Sequence, residues 1–476
     1  MRVTLRKYQE EAVTSLRMEY MRGRTSVLFV LPTGGGKTVC FSYITERAAV
    51  LGNRVCILVH RQELVDQTSR TLSEIGVDHG VIAAGYRQDL SHGVQVASVQ
   101  TLARRLHLVP AGFFQLLVID EAHHAVAGSW AKVIDHYSDA KILGVTATPE
   151  RLDGRGLGDK FQTMVLGPDA AWLTEQGYLA PARYFVPPGM GIDWAALKHR
   201  GGDIDERDAA RVIMASAQAV AGPVTQYLAH LQGTTAIAFC CTVEHADMVA
   251  RGFNQAGIPA AVLDGSLDKA TRRRRIQQLA TGELRVITSC QVISEGTDVP
   301  SVGGCLLLRP TDSVSLYLQQ VGRCLRPSEG KGHAVILDMV GNVAKHGFHT
   351  DERDWSLEGR KKRDASGAAP IRECPECYAA LPAATRVCPE CGHVFDNPQH
   401  DVAEEQGTAL LVELTAEQRK ELERQRLAMR RKEVGKARSL EELRTIGQQR
   451  GYKPGWAEHV WRSRELRRFN AQERQR

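Results

Sequence analysis

In the 476-residue chain, the run Pro32-Thr33-Gly34-Gly35-Gly36-Lys37-Thr38 follows the apolar segment 27–31 and opens a helix-compatible stretch. Glycines there let backbone amides turn toward phosphate oxygens. Lys37 can neutralise β and γ phosphates, the Thr38 hydroxyl can bind magnesium, and the helix amino terminus adds a favourable dipole. The general phosphate-loop pattern has glycine where Leu31 stands, so a second signal is needed. The apolar segment 116–119 supplies it, delivering Asp120 and Glu121 at its end, followed by Ala122, His123 and His124. Open parallel sheets place ligands at such strand ends. Asp120 suits a magnesium ion and Glu121 suits a water to be polarised, so ATP and Mg2+ are the expected cofactors.

A second constellation is Cys374-Pro-Glu-Cys377 and Cys388-Pro-Glu-Cys391, two CxxC knuckles joined by a short loop. Four thiolates at that spacing predict a structural zinc site. Four protein ligands leave no place for a water nucleophile, so this metal folds a module; comparable sites contribute about 10–16 kcal/mol. The remaining seven of the eleven cysteines, Cys40, Cys56 and Cys290 among them, sit in apolar surroundings and read as reduced core thiols.

The elements that must position these groups follow a βα rhythm. Short apolar runs at 27–31, 55–59, 94–98, 116–119 and 142–145 predict one parallel sheet; a Pro- and Gly-bearing stretch around Pro187, Pro188, Gly189, Gly201 and Gly202 interrupts it. Runs at 236–239, 260–263, 286–289 and 305–308 predict a second sheet. The chain is too long for one hydrophobic core. The expected organisation is a first lobe over 1–185, a linker over 186–212, a second lobe over 213–350, a zinc ribbon over 370–397 and a helical tail over 410–476.

Residues 413–476 hold 18 Lys and Arg against 10 Asp and Glu, so the tail carries +8 and the rest of the chain −2, for the net of +6. Such a tail is a handle for a polyanion or a solvated helical surface. Tyr452, Trp456 and Trp461 interleave with its basic residues. The run Arg272 to Arg275 points in several directions on a helix and reads as a mostly solvated face. No apolar run reaches the eighteen or more residues that cross a bilayer, and no signal segment opens the chain, which predicts a cytoplasmic protein without membrane contact.

Pro32 to Thr38, the DEAH run Asp120 to His123 and the TATP run Thr146 to Pro149 stand in one order, and in it the chain resembles the superfamily-two helicases. The resemblance implies an α/β fold of two RecA-like parallel-sheet lobes in tandem. It assigns Gln9 to adenine recognition, with Arg6 or Tyr8 packed on the ring. Gly296, Thr297 and Asp298, then Gln319, Gly322, Arg323 and Arg326 in the spacing QxxGRxxR, look like the fifth and sixth motifs. Arg323 and Arg326 would then reach the γ phosphate as arginine fingers, worth about 10³–10⁵ in rate. His123 and Gln319, with Thr146 and Thr148, are the candidates for linking nucleotide state to lobe position. His60, Arg61, Gln100, Thr101 and Thr242 match the family's strand-contacting loops.

The stretch 307–327, the run Thr242 to Ala246 and the trailing CPxC module look like the bacterial RadD helicase-like family, though this chain carries one cysteine ribbon where RadD proteins have a longer cysteine-rich tail. That resemblance implies a DNA-dependent ATPase in repair or recombination, acting on single-stranded or forked DNA in preference to RNA, with single-stranded DNA-binding protein as a partner. Two other readings stay open: a nucleic-acid-stimulated ATPase that remodels protein–DNA complexes or RNA without unwinding, and a DNA-binding scaffold without hydrolysis. The intact Lys37, Glu121, Arg323 and Arg326 speak against the scaffold.

Overall fold

In the computed structural model the described residues are 3–125, 128–151, 155–186, 197–200, 202–216, 218–290, 302–359 and 371–395, with 439–441, 443–444 and 461 in the tail. Gly296 and Asp298 lie outside them, as does most of the basic tail. Its few described residues include helical Leu440 and Leu443.

The first sheet comprises β1 (Ser26–Val30), β2 (Val55–Val59), β3 (His79–Ile82), β4 (Val94–Ser98), β5 (Leu116–Asp120), β6 (Lys141–Thr146) and β7 (Thr163–Leu166). Its order is β3-β4-β2-β5-β6-β1-β7, and every pairing is parallel. Crossover helices cover both faces of such a sheet, so its central strands read as unbroken apolar runs: Ser26–Val30 and Val55–Val59 are buried at every position.

The second sheet draws on β8 (Ala182–Phe185), β11 (Ala236–Phe239), β12 (Ala260–Leu263), β13 (Val286–Ser289), β14 (Gly304–Leu307) and β15 (Ala334–Asp338), in the parallel order β12-β13-β11-β14-β15-β8. A two-residue ladder, β9 (His199–Arg200) and β10 (Asp203–Ile204), stands apart. The second lobe begins earlier than the 185/213 division: Ala182–Phe185 pairs with Ala334–Leu337. Leu197, Ile204, Ala209 and Ala210, in the stretch expected to link the lobes, pack into the hydrophobic core. The physical reason is that β15 would otherwise present an unpaired edge, which β8 covers.

The ribbon is a short antiparallel pair, β16 (Ile371–Glu373) and β17 (Ala380–Pro382). It docks on the outer edge of the second sheet: Val186 N–H donates to the Tyr378 carbonyl at 2.8 Å, Phe185 bridges Ala379, and Arg183 pairs with Glu390 at 3.0 Å. Among the described residues no helix is long and apolar enough to cross a membrane.

Candidate active site

Strands β5, β6 and β1 are neighbours, so the turns at their carboxyl ends meet. After β1 the phosphate loop enters the helix Lys37–Val50 through Gly36, whose φ of 88° favours glycine. A side chain there would also collide with the Gln9 amide. Gln9, buried, accepts from Arg6 N–H at 2.9 Å and donates to the Gly35 carbonyl at 3.4 Å, and Tyr8 Oη donates to the same carbonyl at 2.8 Å. Tyr8 thus braces the loop while packing edge-on against Trp172, and the Arg6 guanidinium lies 4.5 Å over Tyr178. Of the two residues suggested for the adenine ring, Arg6 is the one left on the outer side of this aromatic cluster.

Lys37 Nζ donates to the Leu31 carbonyl at 3.1 Å. Burial pushes its ammonium below the ordinary range, Glu121 and Asp120 pull it back up, and the charges of Arg323 and Arg326 push it down again. One lysine therefore feels both carboxylates of the first lobe and both arginines of the second. Burial, then the Glu121 charge, pushes the Asp120 carboxyl up to about 7. A divalent cation reverses that tendency, because its charge outweighs the desolvation of its ligand. A hydroxyl from Thr38, a buried carboxylate and a lysine beside turned backbone amides are a hard-oxygen and cationic set that fits Mg2+ and nucleotide phosphate.

Glu121 adopts φ 49°, ψ 55°. This left-handed conformation is rare outside glycine and costs on the order of 1–3 kcal/mol. It turns the chain sharply after β5 and places the Glu121 carboxylate 3.4 Å from His123 Nδ1. His123 Nδ1 also lies 3.3 Å from Thr146 Oγ1, which donates to the Thr148 carbonyl at 2.8 Å. The buried Thr148 hydroxyl then hydrogen-bonds to Ser315 on the helix Val314–Gly322 of the second lobe. A connected path thus runs from a first-lobe carboxylate to the helix that carries Gln319 and leads into Arg323 and Arg326.

Ser315 and Gln319 are four residues apart and share a helix face. Gln319 is buried, and its Nε2 has no hydrogen-bond partner among the described residues. Gly322 lies against Thr33: a Cβ added there would fall 2.5 Å from Thr33 Cβ, so the two lobes touch where only glycine fits. Gly34 faces the Arg326 side chain across the same gap. Beside this contact a cavity of about 590 Å³ runs between the lobes from Tyr8 and Thr33 to Gly322 and Trp355, within the usual size of ligand sites. Ser315 escaped the sequence reading because a hydroxyl in an otherwise apolar helix start carries no motif.

The strand-contact candidates fall into two places. His60, Arg61, Gln100 and Thr101 gather at the adjoining ends of β2 and β4, where Gln100 Nε2 donates to the His60 carbonyl at 3.1 Å and the His60 ring lies 4.7 Å from His124. Thr242, in the second lobe, caps the helix Val243–Gln255 by accepting from His245 N–H at 3.2 Å. The arginine run is less solvated than expected: Arg273 and Arg274 are exposed, whereas Arg272 bonds Glu63 and Arg275 bonds the Val262 carbonyl.

The four ribbon thiols lie within 4.8 Å of one another, with Cys374 and Cys391 Sγ 3.5 Å apart and Cys377 and Cys388 Sγ 3.6 Å apart. A disulfide needs about 2.05 Å. Four sulfurs at 2.3 Å around a tetrahedral zinc stand about 3.8 Å apart, so the residues fit that ion. Zinc bound here would fix the two knuckles. Replacing Cys388 by Ser is expected to abolish stoichiometric zinc in elemental analysis and to lower the melting temperature, because the ribbon covers β8. An unchanged metal content and melting temperature would show that the cysteines hold no structural ion.

Residues 2–151 match the family described as type III restriction enzyme, res subunit, residues 221–328 the helicase conserved C-terminal domain, and residues 372–397 the uncharacterised protein family UPF0547. The chain is 33% identical over 368 residues to the "51.5 kDa protein" of a Lactococcus phage (isolate 7-9), covering 76% of this chain and 77% of that one. It is also 33% identical over 359 residues to the "Putative ATP-dependent helicase IRC3" of Saccharomyces cerevisiae, covering 71% of this chain but spanning only 51% of the yeast protein. Among solved structures, a fragment of a "putative HsdR subunit of a type I restriction enzyme" from Vibrio vulnificus YJ016 shares the fold, with a TM-score of 0.59 at 22% identity over 72% of this chain and 65% of that one. With two such lobes and these matches, the chain belongs to the superfamily-two helicases and is a nucleic-acid-dependent ATPase of helicase or translocase type.

Proposed function

We propose that the chain is an ATP-driven DNA helicase or translocase, RadD-like in its sixth-motif region, that acts in the cytoplasm on single-stranded or forked DNA during repair or recombination. The observation that carries the motor reading is the cleft in which the phosphate loop of one lobe touches the sixth motif of the other, Thr33 against Gly322 and Gly34 beside the Arg326 side chain, with Lys37 close enough to feel the charges of Asp120, Glu121, Arg323 and Arg326. Lys37 and the loop amides hold the phosphates, and Thr38 and Asp120 hold the magnesium that offsets their charge. Glu121 takes a proton from the attacking water, and the two arginines face the γ phosphate. Hydrolysis then requires closed lobes, and cycles of closing and opening move the strand.

Preference for DNA is supported by a relative named "DNA 3'-5' translocase XPB2" in Sulfurisphaera tokodaii, 24% identical over 71% of this chain. It is supported also by the resemblance of 307–327 to RadD. Single-stranded DNA-binding protein is the partner that resemblance implies.

The path through Thr148 and Ser315 makes Ser315 a positioning residue. Ser315→Ala removes one buried hydrogen bond, worth about 0.5–1.5 kcal/mol. The turnover of ATP on DNA is expected to fall about two- to tenfold with KM for ATP unchanged; an unaltered turnover would show that the contact plays no part in coupling. Displacement of a labelled strand from a forked duplex, run beside displacement of a third strand from a triplex, separates the two motor modes. Duplex unwinding identifies a helicase, triplex displacement alone a translocase that remodels, and neither activity with DNA present overturns the DNA motor.

A further inference from the structure

The lobes meet a second time, away from the nucleotide cleft. The helix Gln62–Glu74 leaves β2 directly after His60 and Arg61, and the helix Lys269–Thr281 follows β12 of the other sheet. Across the gap Lys269 pairs with Asp66 and Arg272 pairs with Glu63. Glu63 and Asp66 are three residues apart, as are Lys269 and Arg272, so each pair lies on one helix face and the two pairs act together. Asp66 is fixed for the role: Tyr86 Oη donates to it at 2.8 Å and Gln62 Nε2 at 3.3 Å. Partial burial raises its carboxyl, but hydrogen bonds from Lys269, Tyr86 and Gln62 outweigh that and leave it below the usual range. Each pair has one open member: the Lys269 side chain is 65% exposed against 15% for Asp66, and Glu63 38% against 23% for Arg272, whose buried Nε has no hydrogen-bond partner among the described residues. Arg273 and Arg274 stand exposed beside them.

We propose that these two ion pairs form a latch that nucleic acid competes open, Glu63 and Asp66 holding the place on Lys269 and Arg272 that strand phosphates take. This rests on reading the chain as a DNA motor and adds how its strand face is gated. A carboxylate and a phosphate oxygen offer the same acceptor geometry to a guanidinium fork. Partly exposed ion pairs are weak, so a polyanion that releases counterions on binding displaces them. The arriving strand then frees one lobe from the other at this contact while the Thr33–Gly322 contact at the nucleotide side stays in place.

The test sets acid-side against base-side variants of the full chain, using fluorescence anisotropy with a single-stranded oligonucleotide over a salt series, and ATP hydrolysis with and without that DNA. Glu63→Gln with Asp66→Asn is expected to bind several-fold tighter and to need several-fold less DNA for half-maximal stimulation of ATP hydrolysis. Lys269→Gln with Arg272→Gln is expected to bind more weakly, with the slope of log affinity against log salt shallower by about 0.7 for each lost phosphate contact. Thermal melting of both variants checks that they fold, and Arg272→Lys, which keeps the charge, is expected to retain most of the slope. If both double variants move affinity in the same direction, or the slope does not change, the pairs only join the lobes and the latch is wrong. If the wild-type chain binds no oligonucleotide, the DNA-motor reading fails instead.

Discussion

Glu121→Gln is expected to lower ATP turnover by about 10²–10⁴-fold while leaving ATP binding nearly intact, the loss typical of removing a positioned general base. The amide keeps the shape of the side chain but cannot take a proton from water. The protein invests backbone strain to place this group: Glu121 is the left-handed residue after β5, and its carboxylate lies 3.4 Å from the His123 imidazole. Lys37→Ala is the contrasting change, since it removes charge from the phosphate site itself and is expected to weaken ATP binding as well as hydrolysis. Turnover under saturating ATP and equilibrium binding of a nucleotide analogue distinguish the two. Undiminished turnover in Glu121→Gln would mean that another group activates the water.

Arg323→Ala is expected to reduce turnover by about 10³–10⁵-fold, as loss of an arginine finger does, and Arg326→Ala to act in the same direction. Both arginines already bear on Lys37 across the lobe contact, where their charges oppose its protonation. Their backbone is pinned by Lys331, whose Nζ donates to the carbonyls of Val302 at 2.7 Å, Arg326 at 2.8 Å and Cys324. That support fixes the turn after the helix Val314–Gly322, so little entropy is lost when the guanidinium meets phosphate. Lysine at position 323 is not expected to restore the rate, because a point charge cannot reproduce the planar fork. Single-turnover hydrolysis measures this directly, and a rate within tenfold of wild type in Arg323→Ala would remove it from the reaction.

Most of the motor was legible because its chemistry is local. Phosphate loop, DEAH run and sixth motif each lie within a few residues, and the strands that carry the first two lie inside the sheet, which writes unbroken apolar runs into 27–31 and 116–119. Weaker strands were not legible. β3 (His79–Ile82) contains a glycine and β7 (Thr163–Leu166) is four residues at an edge, so neither offers a run long enough to stand out. β8 was misplaced because its partner, β15, lies about 150 residues downstream. A strand's sheet is a property of its pairing and not of its own four side chains. The same holds for Thr148 and Ser315, 167 residues apart, and for Glu63 and Arg272, 209 apart. The ribbon cysteines were legible as a metal set, whereas their docking on β8 depended on Val186, Tyr378 and Glu390, residues with no motif of their own.

The decisive measurement is ATP hydrolysis by the zinc-loaded protein with no nucleic acid, with single-stranded DNA, with forked DNA and with matched RNA, each repeated for Lys37→Ala. A DNA motor hydrolyses ATP slowly alone and many-fold faster with either DNA, and loses that activity in Lys37→Ala. Stimulation by RNA alone, or hydrolysis that DNA leaves unchanged, would contradict it.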